Sequence, residues 1–416
     1  MVESLVNPLF LYVIVWCVAT SLYVAGVHAG VFPRCVPQAL WLILLNVGTF
    51  ALGYMTSRTL GLLTPGRGGD LRGSRGLPLT EKRFRRSLRI ALACGIIALL
   101  LCLARILIVS ETSNTSLLRL VSNPNVLRGR LVAYISSGMN RTRLTTMAIS
   151  ISSSIASLGF VLLGVLLYVG RRRSRYLYLL FFLFLSLGLA VLNLSRKGFM
   201  VDLLFLTLSY LYAHCLYRQR KTSEVLRNLF VPVVAVAVLF VLIDILLAKS
   251  QTFNPRDRMI GFFFSIYWYI SAPLAAFGEF LANWEGEYLN GQSLFLPIYK
   301  WLSRFGLAPP TTIALYSDKL YIPHMVNVYS YLRNIYEDFG VLGVAVVPYL
   351  LGWVSSVLRR RANLFLPYLN MYLILLVLII FSFYNYLLIT NQFYLQAFFG
   401  FVFLRFRLTD LEHVDM

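Results

Sequence analysis

The densest run of varied polar chemistry in the chain is IPHMVNVYSYLRNIYEDFGVLG, residues 322–343. It places His324, Asn327, Tyr329, Ser330, Arg333, Asn334, Glu337 and Asp338 directly before a long apolar stretch. Read as a helix from about 327, it makes Arg333 and Glu337 i,i+4 neighbours able to pair. Asn327, Ser330, Asn334 and Asp338 then form a second polar stripe. One account is a helix cap with a local ion pair; the other is the wall of an active site. Such mixed chemistry at the edge of an apolar run favours the second. A carboxylate there, Asp338 or Glu337, suits a base or an orienter for an acceptor hydroxyl. Arg333 offers a planar fork of donors that matches phosphate. His324 is either a donor to a leaving phosphate or a packed ring.

A second cationic place is the short turn NLSRKGF, 193–199, where Arg196 and Lys197 sit between two apolar runs. Two charges on so tight a turn must face water, lipid phosphate or a bound anion. Asp202 and Asp244 are alternative counterions for Arg196. Arg105 lies inside an apolar run, where an ionisable group is functional by default unless it snorkels to the edge. Arg128, Arg130, Arg141, Arg143, Arg256 and Arg258 are further candidates for holding an anion, a solvated surface being the alternative for each. Trp284, Tyr329 and Tyr336, with other aromatics between 283 and 338, offer faces for stacking on sugars. His28, His214, His324 and His413 are scattered, and no paired cysteines occur, so no metal site is expected. The glycine-rich stretch 66–76 lacks the spacing and lysine of a phosphate-binding loop. It reads as a flexible basic connection able to lie on anionic lipid. No cofactor is expected.

These residues must be positioned by a membrane bundle. The 416 residues are 58% hydrophobic and 13% charged, with a mean hydropathy of +0.72. Soluble domains carry about 25% charge, so a single soluble domain and a disordered chain are both excluded. The net charge of +21 would suggest nucleic acid in a soluble protein. Here the basic residues collect in short connections between apolar runs, and no nucleic-acid partner is expected.

A crossing helix needs about 20 mainly apolar residues. Ten segments qualify: 7–28, 37–57, 90–109, 147–169, 176–193, 198–216, 229–248, 339–357, 365–384 and 388–404, with eleven or twelve spans as the alternative. Arginine and lysine in short loops mark the cytoplasmic side. Loops 58–89, 170–175, 217–228 and 358–364 and the tail after 404 all hold basic clusters, and ten spans put every one on the same side with both termini. The first segment is read as a retained span, since it has no basic start and no small-residue cleavage site. Segment 259–281 breaks the parity if it crosses alone. Its Tyr267, Trp268 and Tyr269 suit an interfacial or re-entrant helix. The chain therefore reads as one integral membrane domain, all-α, over 1–416. It has a basic cytoplasmic loop at 58–89, a first extracytoplasmic loop at 110–146 and a large extracytoplasmic loop at 249–338 with interfacial helices.

With this layout the chain resembles the bacterial oligosaccharide repeat-unit polymerases of the Wzy, or O-antigen polymerase, type. At residue level the likeness rests on SRKGFMVDLL at 195–204 and on NVYSYLRNIYEDFGVLG at 327–343. The resemblance implies a metal-independent glycosyltransferase with a GT-C-like bundle, acting at the outer face of the bacterial inner membrane. It implies undecaprenyl-diphosphate-linked oligosaccharide as substrate and a Wzz-type chain-length regulator as partner. On that view Arg196 answers to the short-loop arginine, and Asn327, Tyr329, Asp338 and Gly340 to the late-loop pattern. His324 is similar to the large-loop histidine of the related ligases. An O-antigen ligase-like transferase, and a secondary transporter of an anionic or glycolipid substrate, are the alternatives.

Overall fold

The computed structural model describes residues 2–63, 81–112, 116, 126–127, 130–131, 140–169, 174–193, 196–217, 223–224, 258–309, 320–322, 324–326, 329–384 and 390–404. Its helices are α1 (Val2–Leu5), α2 (Pro8–His28), α3 (Pro37–Leu63), α4 (Glu81–Thr112), α5 (Asn140–Val169), α6 (Ser174–Leu192) and α7 (Arg196–Tyr217). Then follow α8 (Arg258–Ala282), α9 (Leu296–Arg304), the strands β1 (Leu320–Ile322) and β2 (His324–Val326), α10 (Tyr331–Ala362), α11 (Leu366–Phe381) and α12 (Asn391–Phe403). The strands form an antiparallel hairpin in which Tyr321 faces Met325.

Among the described residues, 7 helices are long and apolar enough to cross a membrane: α2 to α7 and α10. They coincide with the first six and the eighth of the expected spans. The seventh, 229–248, lies outside the described residues. The protein is an all-α, multi-pass membrane bundle. Inside it runs α11, whose 16 residues are buried on nearly every side from Leu366 to Ile379. A helix apolar all round belongs at the centre of a bundle.

Side-chain contacts order the helices end to end. Arg359 Nη1 donates to Tyr54 OH at 2.8 Å and Arg360 Nη1 to the Ser57 carbonyl at 2.9 Å. α3 and α10 therefore run side by side in the same direction. Tyr212, near the end of α7, donates to Asn363 Oδ1 at 2.6 Å. Tyr168 and His214, near the ends of α5 and α7, have ring centroids 5.7 Å apart. α4 packs antiparallel to α5, with Gly95 against Ala156 and Gly159 against Ala91. Arg58, Arg85, Arg86, Arg89, Arg175 and Arg359–Arg361 thus share one end of the bundle, as the charge pattern of the loops requires. The chain start joins them, since Tyr372 OH donates to the Val6 carbonyl. So does the close of α12, where Phe401 meets Tyr368 edge-on at 5.7 Å.

The opposite end is covered by α8. Trp268 packs on Phe32 with centroids 5.4 Å apart, Gly278 faces Val36, and Glu279 takes both Nε and Nη2 of Arg34 at 3.1 and 3.2 Å. Trp268 and Glu279 lie about 16 Å apart along the helix, yet both reach the turn between α2 and α3. A helix threading the bundle alongside α2 would leave that turn behind. α8 lies across the end.

Several boundaries differ from the hydropathy reading. α3 runs on to Leu63 and α4 starts at Glu81, so much of loop 58–89 is helix. α5 begins at Asn140 and α10 at Tyr331, inside the expected loops 110–146 and 249–338. The hydrogen-bond ladder continues past the apolar run because polar side chains reach water from the outer turns.

α3 and α10 touch backbone to backbone. A Cβ on Gly53 would overlap the Tyr349 carbonyl, and one on Gly352 the Phe50 carbonyl. Small residues allow such approach where helices associate by packing. Gly352→Ala is expected to cost about 1–3 kcal/mol through overpacking, read as a lower thermal midpoint in detergent. Gly48→Ala, which meets nothing within 4 Å, is expected to leave the midpoint unchanged. Above this contact Tyr12 and Tyr331 share Asn46 Oδ1, a buried polar knot that fixes the start of α10.

Candidate functional site at the kinked entry of α10

α10 is broken at Gly340, whose φ of 60° and ψ of −149° lie where L side chains are rarely found. The break removes two carbonyls from the helical ladder, and a buried helix end needs partners for them. The segment before α9 supplies both. Leu289 N donates to the Glu337 carbonyl at 2.9 Å and Asn290 N to the Asp338 carbonyl at 3.2 Å. The chain then turns through Asn290 (φ 50°) and Gly291 (φ 89°). That turn delivers Ser293 N to Asp338 Oδ1 at 2.9 Å and Leu294 N to Oδ2 at 2.6 Å. Both amides lie just ahead of α9, where a negative charge complements the helix dipole. Asp338 is a clasp holding the loop on the kink.

Around the clasp lie the groups with chemical reach. Arg333 Nε pairs with Glu337 Oε1 at 2.7 Å, the i,i+4 contact foreseen from the sequence. Ser293 Oγ donates to Glu337 Oε2 at 3.3 Å and accepts from Asn334 Nδ2 at 2.7 Å. The Arg333 guanidinium lies 4.0 Å from the centroid of Tyr329 and 4.9 Å from that of Phe280. Such stacking holds a cation without consuming its donors. Trp284 meets Phe280 at 4.9 Å and Tyr336 edge-on at 6.4 Å. On α9, partial burial and the neighbouring Arg304 hold Lys300 below the ordinary lysine range.

Trp284, Tyr329, Arg333, Tyr336, Glu337 and Asp338 are thus brought together. Asp338 is corrected in role. At 0% exposure, with both oxygens on backbone amides, it has no face open to an acceptor. The side chains of Arg333 and Glu337 keep 14% and 12% exposure and can reach a ligand. The polar stripe is corrected as well. The helix starts at Tyr331 rather than 327, since Ser330 adopts an extended backbone (ψ 157°). Asn327 lies outside the described residues. His324 pairs with Ile322 in the hairpin, its side chain outside the description. Phe280, Ser293 and Asn334 are site members that sequence reasoning did not select. Ser293 and Phe280 carry no spacing signal toward residues some forty to fifty positions away, although Asn334 stood on the expected stripe.

A second polar locus lies where α6 turns into α7. Arg105 is 5% exposed and Nη2 donates to Asn193 Oδ1 at 2.5 Å. The snorkelling alternative fails there, because the guanidinium is buried against the turn. Among the described residues no carboxylate pairs with it. Arg196 is the first residue of α7, with its side chain outside the description. Asp202, a counterion alternative for Arg196, accepts from Ser157 Oγ at 2.8 Å and Ser186 Oγ at 2.5 Å. Asp244 lies outside the described residues. Arg130 is exposed beside Leu131, which packs on Ile106, Val109 and Phe199. Arg128 and Arg256 lie outside the described residues. Arg141, Arg143 and Arg258 stand on first turns of α5 and α8 with side chains outside the description. No group of three or more metal-ligating side chains occurs among the described residues. No family model matches the sequence, no curated protein matches it, and no solved structure matches its fold.

Proposed function

We propose that the protein is a GT-C-like glycosyltransferase that polymerises undecaprenyl-diphosphate-linked oligosaccharide units at the outer face of a bacterial inner membrane. The arginine-rich end then faces the cytoplasm, with both termini, by the rule that positive loops stay inside. The observation that carries the reading is Arg333, held between Tyr329 and Phe280 beside Glu337, at the end away from the basic loops.

In the reaction a glycosidic bond forms between an acceptor hydroxyl oxygen and the anomeric carbon of the donor. The bond from that carbon to the diphosphate oxygen breaks, and the diphosphate leaves with the electron pair. The Arg333 guanidinium stabilises the charge that develops there, with Arg196 as a further cation on the same end. Glu337 takes the acceptor proton. Trp284 and Tyr336 stack on the sugars. The lipid-linked donor carries its own activation, so the chemistry calls for no nucleotide. A Wzz-type regulator is the expected partner for setting chain length.

Purified protein is incubated with lipid-linked repeat units and the products are separated by length. A ladder is expected from the wild type. Arg333→Ala and Arg196→Ala are each expected to lower it at least ~100-fold, the scale of one lost charge-stabilising donor. Arg333→Lys is expected to recover only part, because an ammonium has no fork. A normal ladder from Arg333→Ala overturns the reading. A single transfer onto a core acceptor identifies a ligase, and movement of substrate without a new glycosidic bond a transporter.

A further inference from the structure

At the basic end a cavity of about 500 Å³ opens between the chain start, the end of α3 and the end of α10. Among the described residues Arg58, Arg359 and Arg360 line it, with Glu3 the one carboxylate. We infer that this cavity binds the phosphate headgroup of an anionic membrane lipid, through guanidinium groups that the packing of α3 on α10 holds in place.

Three observations carry this. First, two of the guanidinium groups are fixed rather than loose. Arg360 donates to the Ser57 carbonyl at 2.9 Å, to Ser57 Oγ at 3.2 Å and to Ser356 Oγ at 3.4 Å. Arg359 donates to Tyr54 OH at 2.8 Å. A guanidinium has five N–H donors, so both retain capacity toward the cavity. Second, the floor is shaped for Arg360. A Cβ on Gly61 would lie 2.6 Å from its Nη1 and 2.8 Å from its Cζ. Third, exposed apolar side chains lie on the same two helices beside the cavity. Leu52 and Met55 on α3 and Trp353 on α10, a turn or two deeper, are 58%, 55% and 40% exposed. Acyl chains would lie along them while the phosphate meets the arginines. Basic hollows between helices on the cytoplasmic side recognise anionic headgroups in this manner. This site is on the end opposite Arg333 and takes no part in the proposed transfer.

The test uses full-length protein in detergent, supplied with phosphatidylglycerol, phosphatidylcholine or inorganic phosphate. Lipid retention is read by native mass spectrometry and stabilisation by the thermal midpoint. The wild type is expected to retain phosphatidylglycerol at least fivefold over phosphatidylcholine and to be stabilised by it. Arg58→Gln and Arg359→Gln are each expected to reduce that preference severalfold, and the pair together to bring it near unity. Arg58 has no described hydrogen bond within the fold, so its variant isolates binding from folding. An undiminished preference in Arg58→Gln and in the pair overturns the inference. A midpoint rise with inorganic phosphate equal to that with phosphatidylglycerol assigns the site to a free anion and overturns its lipid half. Neither readout requires turnover, so the site stands or falls separately from the polymerase reading.

Discussion

Gly340→Ala is expected to abolish long products and to lower the thermal midpoint of the purified protein by several degrees. The backbone at 340 has φ 60° and ψ −149°, a region open essentially to glycine alone, and an alanine held there costs about 1–3 kcal/mol. The methyl group would also stand 2.7 Å from Tyr288 OH, in a segment already fastened at Leu289 and Asn290. Overpacking adds a term of similar size. Relief would come by straightening α10, which would withdraw the Glu337 and Asp338 carbonyls from the amides of the loop. Ser293 and Trp284 would then move away from Arg333. Chain-length ladders and thermal melts on the same preparations check this, with Gly48→Ala as the neutral comparison. An unchanged ladder would mean that the kink does not organise the site.

Asp338 and Glu337 are adjacent in sequence, yet their replacement is expected to fail in different ways. Asp338→Ala leaves two buried amides without an acceptor. Hydrogen bonds to a charged group contribute about 1.5–3 kcal/mol each, so a loss of roughly 4 kcal/mol in stability is expected. Asp338→Asn keeps one acceptor oxygen and turns its amide against the second N–H. It is expected to recover about half of that stability and a corresponding share of activity. Glu337→Gln is expected to leave the melt within about 1 kcal/mol of wild type while turnover falls ~100-fold or more, the scale of a lost general base. Were Asp338 the base, Asp338→Asn would be inactive with a near-native melt. Comparing melt and turnover in the three variants separates a positioning carboxylate from a reacting one.

What the sequence made legible follows from the strength of each signal. The apolar runs behind α2 to α7 and α10 dominate their windows, and the arginine clusters between them fall at one end of the bundle. The pairing of Arg333 with Glu337 followed from helical spacing alone. The kink did not, because glycine at 340 reads as an ordinary small residue in an apolar run and hydropathy passes straight through it. Nor did the partners of Asp338, since backbone amides have no sequence signature. The role first given to Asp338 rested on its place at the membrane mouth. Burial reversed that, because a carboxylate enclosed by its own loop is no longer a group offered to a ligand. The short hairpin at 320–326 also escaped notice, being three residues a side with no alternation long enough to detect.

The pairing of α3 with α10 bears on how the chain is assembled. Ser57 and Arg360 are 303 positions apart, and parallel neighbours so distant cannot meet until nearly all of the protein has been synthesised. Until then the glycine-lined side of α3 lacks its α10 partner, and Asn46 has Tyr12 of α2 but not Tyr331. Truncations ending before residue 331 should therefore insert yet remain open to membrane proteases, and late-arriving α10 acts as the closing stave of the barrel of helices. Biogenesis, on this view, is governed by the last fifth or so of the polypeptide, however well the preceding part partitions into the bilayer.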